Sequence, residues 1–141
     1  SSNDDVAFRQ LALATRDVAG FSLFTGHEVV CDGAMLSGAD GIVPGLGNVD
    51  PSGYVRLYEA AAAGDWEAAR HEQDRLVDLF TIVGCPDSNR VSGGAAGLGA
   101  FKTALVELGV ISSNTMSKPM AALNENEAAS IRTILERTGL L

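Results

Sequence analysis

An α/β fold is predicted by three features of residues 20–50. The first is a short apolar run, Phe21-Ser22-Leu23-Phe24-Thr25, bounded by Gly20 and Gly26, which has the length and flanks of a strand covered on both faces. The second is a stretch of helical length, His27–Leu36, with Val30, Ala34 and Cys31 toward one side, stopped by Gly38-Ala39-Asp40-Gly41. The third is a second apolar start, Ile42-Val43, ended by Pro44-Gly45. Strand, helix and strand in this order make a right-handed βαβ unit with parallel strands. Polar and glycine residues follow each strand: Thr25-Gly26-His27-Glu28 after the first, Gly45-Leu46-Gly47-Asn48 after the second. Ligands of α/β folds bind at that carboxyl edge, so chemistry is expected near Gly26 and Val43.

The other elements read as helices. Asn3 or Asp4 caps a helix to about Val18, with Ala7, Leu11, Ala14 and Val18 on one face. Asp50-Pro51-Ser52 starts another, with Asp at the cap and Pro in the first turn, running to about Ala63 and stopping at Gly64-Asp65. A third begins at Asp65. Its apolar stripe is Trp66, Ala69, Leu76, Phe80 and Val83, with Glu67, Arg70, Asp74 and Arg75 covering the outer side. Residues 86–97 read as a loop, Leu98–Leu108 as a helix and Ser112–Pro119 as a polar linker. The last helix opens on a capping-box pattern, Asn124 with Glu127 three residues on, and ends at Thr138-Gly139. Two strands alone make no stable covered sheet, so the pattern is that of part of a larger α/β protein.

Composition narrows the function classes. The net charge is −8, spread along the chain, with no basic stripe, which argues against nucleic acid or an anionic membrane as partner. No apolar run approaches the roughly 20 residues of a membrane-spanning helix, and the SSNDDV start is no signal peptide. Cys31 and Cys85, far apart on apolar segments, read as free buried thiols of a cytoplasmic protein.

Several motifs carry little. Gly45-Leu46-Gly47 lacks the third glycine of a dinucleotide loop. In Gly94–Thr103 the lysine does not directly follow the last glycine, so the phosphate-loop pattern fails. His27-Glu28-Val29-Val30-Cys31 is one residue from the HExxH zinc motif, but sits at a strand-to-helix turn, and no metal is expected. His71, among charges, reads as solvated. Glu28, in the first turn of the expected helix, has a structural explanation in the helix dipole and a functional one in contact with a polar substrate.

A series of segments resembles the C-terminal half of the dihydrodipicolinate synthase / N-acetylneuraminate lyase family. They are Phe24-Thr25-Gly26-His27-Glu28, Gly38-Ala39-Asp40-Gly41-Ile42-Val43, Asn48-Val49-Asp50-Pro51, Ala62-Ala63-Gly64-Asp65, Phe101-Lys102-Thr103-Ala104-Leu105, Leu108-Gly109 and Thr138-Gly139-Leu140-Leu141. The resemblance implies part of a TIM (β/α)8 barrel. Residues 1–63 would supply helix six, strand and helix seven, and strand and helix eight; residues 64–141 would be a C-terminal helical extension. It implies a class I lyase/aldolase, in which a lysine condenses with pyruvate or a 2-keto acid and the protonated imine acts as electron sink. No further cofactor is implied. That lysine would lie shortly before Ser1, with Ser1-Ser2-Asn3-Asp4 as the turn after it, and the proton-shuttling tyrosine would lie further upstream. Lys102 is not its substitute.

By the same resemblance, Gly26 passes its backbone beside the second substrate, Val43 lines the pocket with its carbonyl, and Glu28 contacts the distal polar part, with His27 and Gly45 beside them. Val29 replaces a second acidic residue of sialate lyases and Gly45 their serine. Gly26-His27-Glu28 and Pro44 depart from the usual synthase residues. A pyruvate–aldehyde condensation of the dihydrodipicolinate synthase type leads, with a 2-keto-3-deoxy sugar acid or N-acetylneuraminate-type aldolase as alternative. A catalytically inactive relative acting as an assembly module is the rival of another class. The implied partners are pyruvate or a 2-keto acid, an aldehyde, the remaining half of the barrel, and further copies in a dimer or tetramer.

Overall fold

Glycines and caps divide the chain where the sequence places them. The computed structural model describes residues 3–141 and falls into two compact units, meeting between Val77 and Asp78. The Ser1-Ser2 part of the expected lysine turn lies outside the described residues. In the first unit, α1 (Asp5–Thr15) is capped by Asp4, whose Oδ1 accepts from the Ala7 N–H at 2.9 Å. It is shorter than the expected helix, and none of its residues is buried. Its apolar stripe has no element packed over it among the described residues, so Leu11 and Val18 stay exposed.

Strand β1 (Phe24–Thr25) pairs in parallel with β2 (Gly41–Ile42), in the register Phe24 opposite Gly41 and Thr25 opposite Ile42. The βαβ reading holds; the expectation that the first strand runs from Phe21 and is covered on both faces does not. Only two residues per strand find ladder partners, and Phe24 is 55% exposed. A Cβ on Gly41 would lie 2.7 Å from the exposed Phe24 ring, which would have to turn aside.

The connecting helix α2 (Cys31–Leu36) starts four residues later than the sequence reading. Residues 27–30 form a turn instead, closed by the Val30 N–H donating to the His27 carbonyl at 3.2 Å. Glu28 therefore lies in the loop, not in the first turn of a helix. β-branched Val29 and Val30 disfavour helical backbone, and side-chain partners elsewhere fix the alternative.

Helix α3 (Pro51–Ala62) follows a 3-10 turn at Leu46–Asn48, and α4 (Trp66–Phe80) begins after Gly64, whose φ of +76° only glycine adopts readily. Tyr54, Leu57, Ala61, Ala69 and Leu76 are buried, with Cys31 and Leu46, as the core of this unit. Arg75 corrects the sequence reading. It does not cover an outer surface but is half-buried, pairing with Asp50 and with Glu72. Glu72 also accepts two hydrogen bonds from Arg56, at 2.9 and 3.1 Å, which stitches α3 to α4. Burial alone would raise the Glu72 carboxyl, but the hydrogen bonds from Arg56 and Arg75 hold it below the ordinary carboxylate value.

The second unit begins within α4 and continues through a 3-10 turn at Thr81–Gly84, α5 (Gly93–Glu107) and α6 (Glu125–Arg137). Helix α5 begins at Gly93 rather than Leu98, so much of the expected glycine loop is helical. Ala95, Gly99, Ala100, Thr103 and Ala104 are buried there because small residues permit close packing. A Cβ on Gly99 would lie 2.5 Å from a Leu123 methyl. The expected capping box on α6 is present: Asn124 accepts from the Glu127 N–H at 3.0 Å, and Glu127 accepts from the Asn124 N–H at 2.7 Å. Leu79, Ile82, Ile131 and Leu135 form this unit's core. Lys102 is exposed on α5, its Nζ donating to the Thr115 carbonyl at 2.6 Å. Cys31 is buried and Cys85 half-buried, and both are free thiols, so the expectation of two buried cysteines holds only for the first. Among the described residues no helix is long and apolar enough to cross a membrane.

Candidate functional site

The carboxyl ends of β1 and β2 bring together four of the five residues read from the sequence. The Val43 N–H donates to the Thr25 carbonyl at 2.7 Å, which holds the two strand ends in step. Gly26 follows directly, and a Cβ placed on it would lie 3.3 Å from the Val43 carbonyl oxygen. That gap is tighter than ordinary van der Waals contact, so glycine lets the two backbones pass. Glu28 reaches across from the first loop to the second: its Oε1 accepts from the Gly45 N–H at 3.1 Å. Gly26 and Val43 thus lie side by side at the edge, and Glu28 and Gly45 are directly hydrogen-bonded.

His27 departs from the group. Its Nδ1 lies 3.0 Å from Asp5 Oδ1 on α1, so the imidazole and the Glu28 carboxylate have different partners. Its backbone N–H is held by Thr25 Oγ1 at 3.2 Å. The zinc-like spacing also separates in space. The Cys31 thiol donates to the His27 carbonyl at 3.4 Å, while the three side chains His27, Glu28 and Cys31 take three different partners. Burial, followed by the charges of Glu28 and Asp32, pushes the Cys31 thiol up to about 12, so it is protonated at neutral pH and serves as a packed group. Among the described residues no group of three or more His, Cys, Asp or Glu is arranged to hold a metal ion.

Two residues that sequence reasoning missed hold this loop. The Tyr54 hydroxyl, from α3, donates to the Glu28 carbonyl at 3.2 Å. Gln73, from α4, donates to the same carbonyl at 3.1 Å through Nε2 and accepts from the N–H groups of Cys31 and Asp32 at 2.7 and 3.3 Å through Oε1. Helix α2 has no side-chain cap of its own, and Gln73 supplies one from a distant element. A signal for it was present: Gln73 stands on the apolar stripe between Ala69 and Leu76, where a polar side chain must find partners. The Tyr54 phenol is raised by burial, then by neighbouring Cys31, Glu28 and Asp50, which keeps it a hydrogen-bond donor.

Each strand edge borders open space. Gly26 and Thr25 border a hollow of ≈ 240 Å³ with Ala7, Phe8 and Leu11 of α1. Val43, 69% exposed, borders a wider cleft of ≈ 760 Å³ with Phe24, Pro44, Tyr54 and Tyr58. Backbone N–H and carbonyl groups, one carboxylate and one imidazole at a strand edge can orient a small polar molecule. No primary amine stands among them to form an imine.

The sequence model of the Dihydrodipicolinate synthetase family matches residues 5–138. A 4-hydroxy-tetrahydrodipicolinate synthase of Neisseria meningitidis serogroup B is 28% identical over 131 residues, covering 93% of this chain and 42% of the relative. One from Leptothrix cholodnii is 30% identical over 124 residues, covering 87% and 39%. The chain thus spans about two-fifths of the length of these relatives. Dihydrodipicolinate synthase from Bacteroides thetaiotaomicron superposes with a TM-score of 0.85 at 29% identity, over 97% of this chain and 44% of that one. YagE, a prophage protein of the dihydrodipicolinic acid synthase family from E. coli K12 solved in complex with pyruvate, superposes with a TM-score of 0.83 at 20% identity, over 99% and 45%. The dihydrodipicolinate synthase structures are TIM barrels, and the mostly helical chain with its parallel strand pair fits part of such a barrel. With the family's sequence model matched over residues 5–138, the chain belongs to the Dihydrodipicolinate synthetase family.

Proposed function

We propose that the complete protein is a Schiff-base-forming lyase/aldolase that condenses pyruvate with an aldehyde, as a 4-hydroxy-tetrahydrodipicolinate synthase does. The observation that carries this reading is the family match across almost the whole chain, from residue 5 to 138. In this assignment α1 is barrel helix six, β1 and α2 are strand and helix seven, and β2 and α3 are strand and helix eight. Residues 64–141 form the C-terminal extension. The exposed faces of Phe24 and Val43 would then be covered by the other strands of the barrel, which gives their exposure a physical reason.

The strand-edge group serves the substrate, not the covalent step. Gly26 leaves room for the aldehyde. The Val43 carbonyl accepts from a polar group of the bound intermediate. Glu28 and Gly45, already bonded to one another, shape the distal end, with His27 at the margin. The lysine amine and the proton-shuttling tyrosine belong to the remainder of the barrel, no other cofactor takes part, and the active form is a cytoplasmic dimer or tetramer. The experiment is a pyruvate-consumption assay of the complete protein against a panel of aldehydes. Consumption that depends on the aldehyde is the expected result. Pyruvate left untouched with every aldehyde would overturn the aldolase assignment and favour the assembly-module rival.

A further inference from the structure

Resting on the aldolase reading, we propose that Gln73 is a positioning residue for the aldehyde end of the site. It would act at a distance, through the backbone of the loop that follows β1. The Gly26–Val30 loop carries three of the five candidate substrate residues, Gly26, His27 and Glu28, and its geometry is not fixed by regular structure, because α2 begins only at Cys31. What fixes it is the Glu28 carbonyl, which accepts from both Gln73 Nε2 and the Tyr54 hydroxyl. The opposite end of the same amide accepts from the Cys31 and Asp32 N–H groups. One side chain therefore sets the distance between the loop and the start of α2. Gln73 is 3% exposed, and its side-chain hydrogen bonds run to Glu28, Cys31 and Asp32. A buried amide with donor and acceptor both engaged has one low-energy orientation, so the loop inherits it.

The consequence reaches the substrate side. The Glu28 carbonyl and the Glu28 carboxylate belong to one residue, and the carboxylate bonds the Gly45 N–H of the second strand-end loop. Rotating the carbonyl away from Gln73 swings that carboxylate and loosens the link between the two loops. The shape facing the aldehyde then changes, while the lysine that takes pyruvate, elsewhere in the barrel, does not move. Gln73 thereby separates the handling of the two substrates.

The test uses the complete enzyme and two readouts: trapping of pyruvate by borohydride, and steady-state kinetics with the aldehyde varied. Gln73→Met is expected to raise the aldehyde KM about tenfold, the equivalent of one good hydrogen bond, with pyruvate trapping at the wild-type level. Tyr54→Phe, which removes a single bond to the same carbonyl, should move KM in the same direction by less. Should Gln73→Met fail to fold, Gln73→Glu carries the test, because it keeps the acceptor for Cys31 and Asp32 and loses the donor to Glu28. An unchanged aldehyde KM in folded variants, or a loss of pyruvate trapping in step with turnover, would overturn the role of Gln73 alone. Absence of trapping in the wild type would overturn the aldolase reading itself, and this role with it.

Discussion

Gly26→Val lowers kcat/KM of the complete enzyme by about 100-fold, the cost of displacing a reacting group by about an ångström, and leaves the fold in place. The first valine carbon would already stand 3.3 Å from the Val43 carbonyl oxygen. The two γ-carbons have no space on that side, so either the strand-end carbonyl moves or the side chain turns into the region assigned to the aldehyde. Both outcomes disturb the edge. Gly26 is exposed and takes no part in the core, so the denaturation midpoint should stay near that of the wild type. Gly26→Ala, which presses on the carbonyl by only a few tenths of an ångström, should fall between the two. Steady-state kinetics beside a denaturation curve checks this, and wild-type kcat/KM in Gly26→Val would remove Gly26 from the site.

The largest effect on stability is expected at Asp50. Its Oδ1 accepts from the Gly53 N–H at 2.9 Å, capping α3, and its other oxygen pairs with Arg75. Asp50 is buried, and Gly53 is needed beside it, since a Cβ there would lie 2.4 Å from both the carboxylate and the guanidinium. Asp50→Ala removes the cap and leaves a half-buried arginine with less compensation. The cost should be about 2–4 kcal/mol, discounted because Glu72 remains as a partner of Arg75. Asp50→Asn keeps a capping oxygen and should cost less. Chemical denaturation measures both, and equal losses in the two variants would show that the whole loss comes from the missing charge and that the capping oxygen contributes nothing.

The same network sets a pH dependence. The Glu72 carboxyl is held below its ordinary value in the folded state, so its contribution is present above the unfolded value of 4.5 and is lost as pH falls through the folded value.

The helices were legible because their signals are local. Asp50-Pro51 at the start of α3, Gly64 before α4, and the Asn124–Glu127 box of α6 each sit where the sequence places them. Strand length and helix start around residues 21–36 were not legible. An apolar run such as Phe21–Thr25 shows the capacity for a strand, whereas the ladder depends on partners elsewhere in the fold. The late start of α2 follows from Gln73, forty-two residues from Cys31, and no local pattern announces such a bond. The polar and glycine pattern after each strand marked the edge near Gly26 and Val43 as the place for a ligand. It could not show that Glu28 would bond Gly45, or that His27 would turn to Asp5, because both depend on how the loops fold back. The resemblance implies a lysine upstream of residue 1, so the 141 residues bear on the substrate side of the proposed site alone.

The central claim, that the chain completes an imine-forming barrel, is tested most directly by the denatured mass of the purified protein with and without pyruvate and borohydride. A mass near twice that of this chain, increased by one reduced pyruvate per subunit, is the predicted result. A protein of only this chain's 14.6 kDa, carrying no adduct, would contradict it.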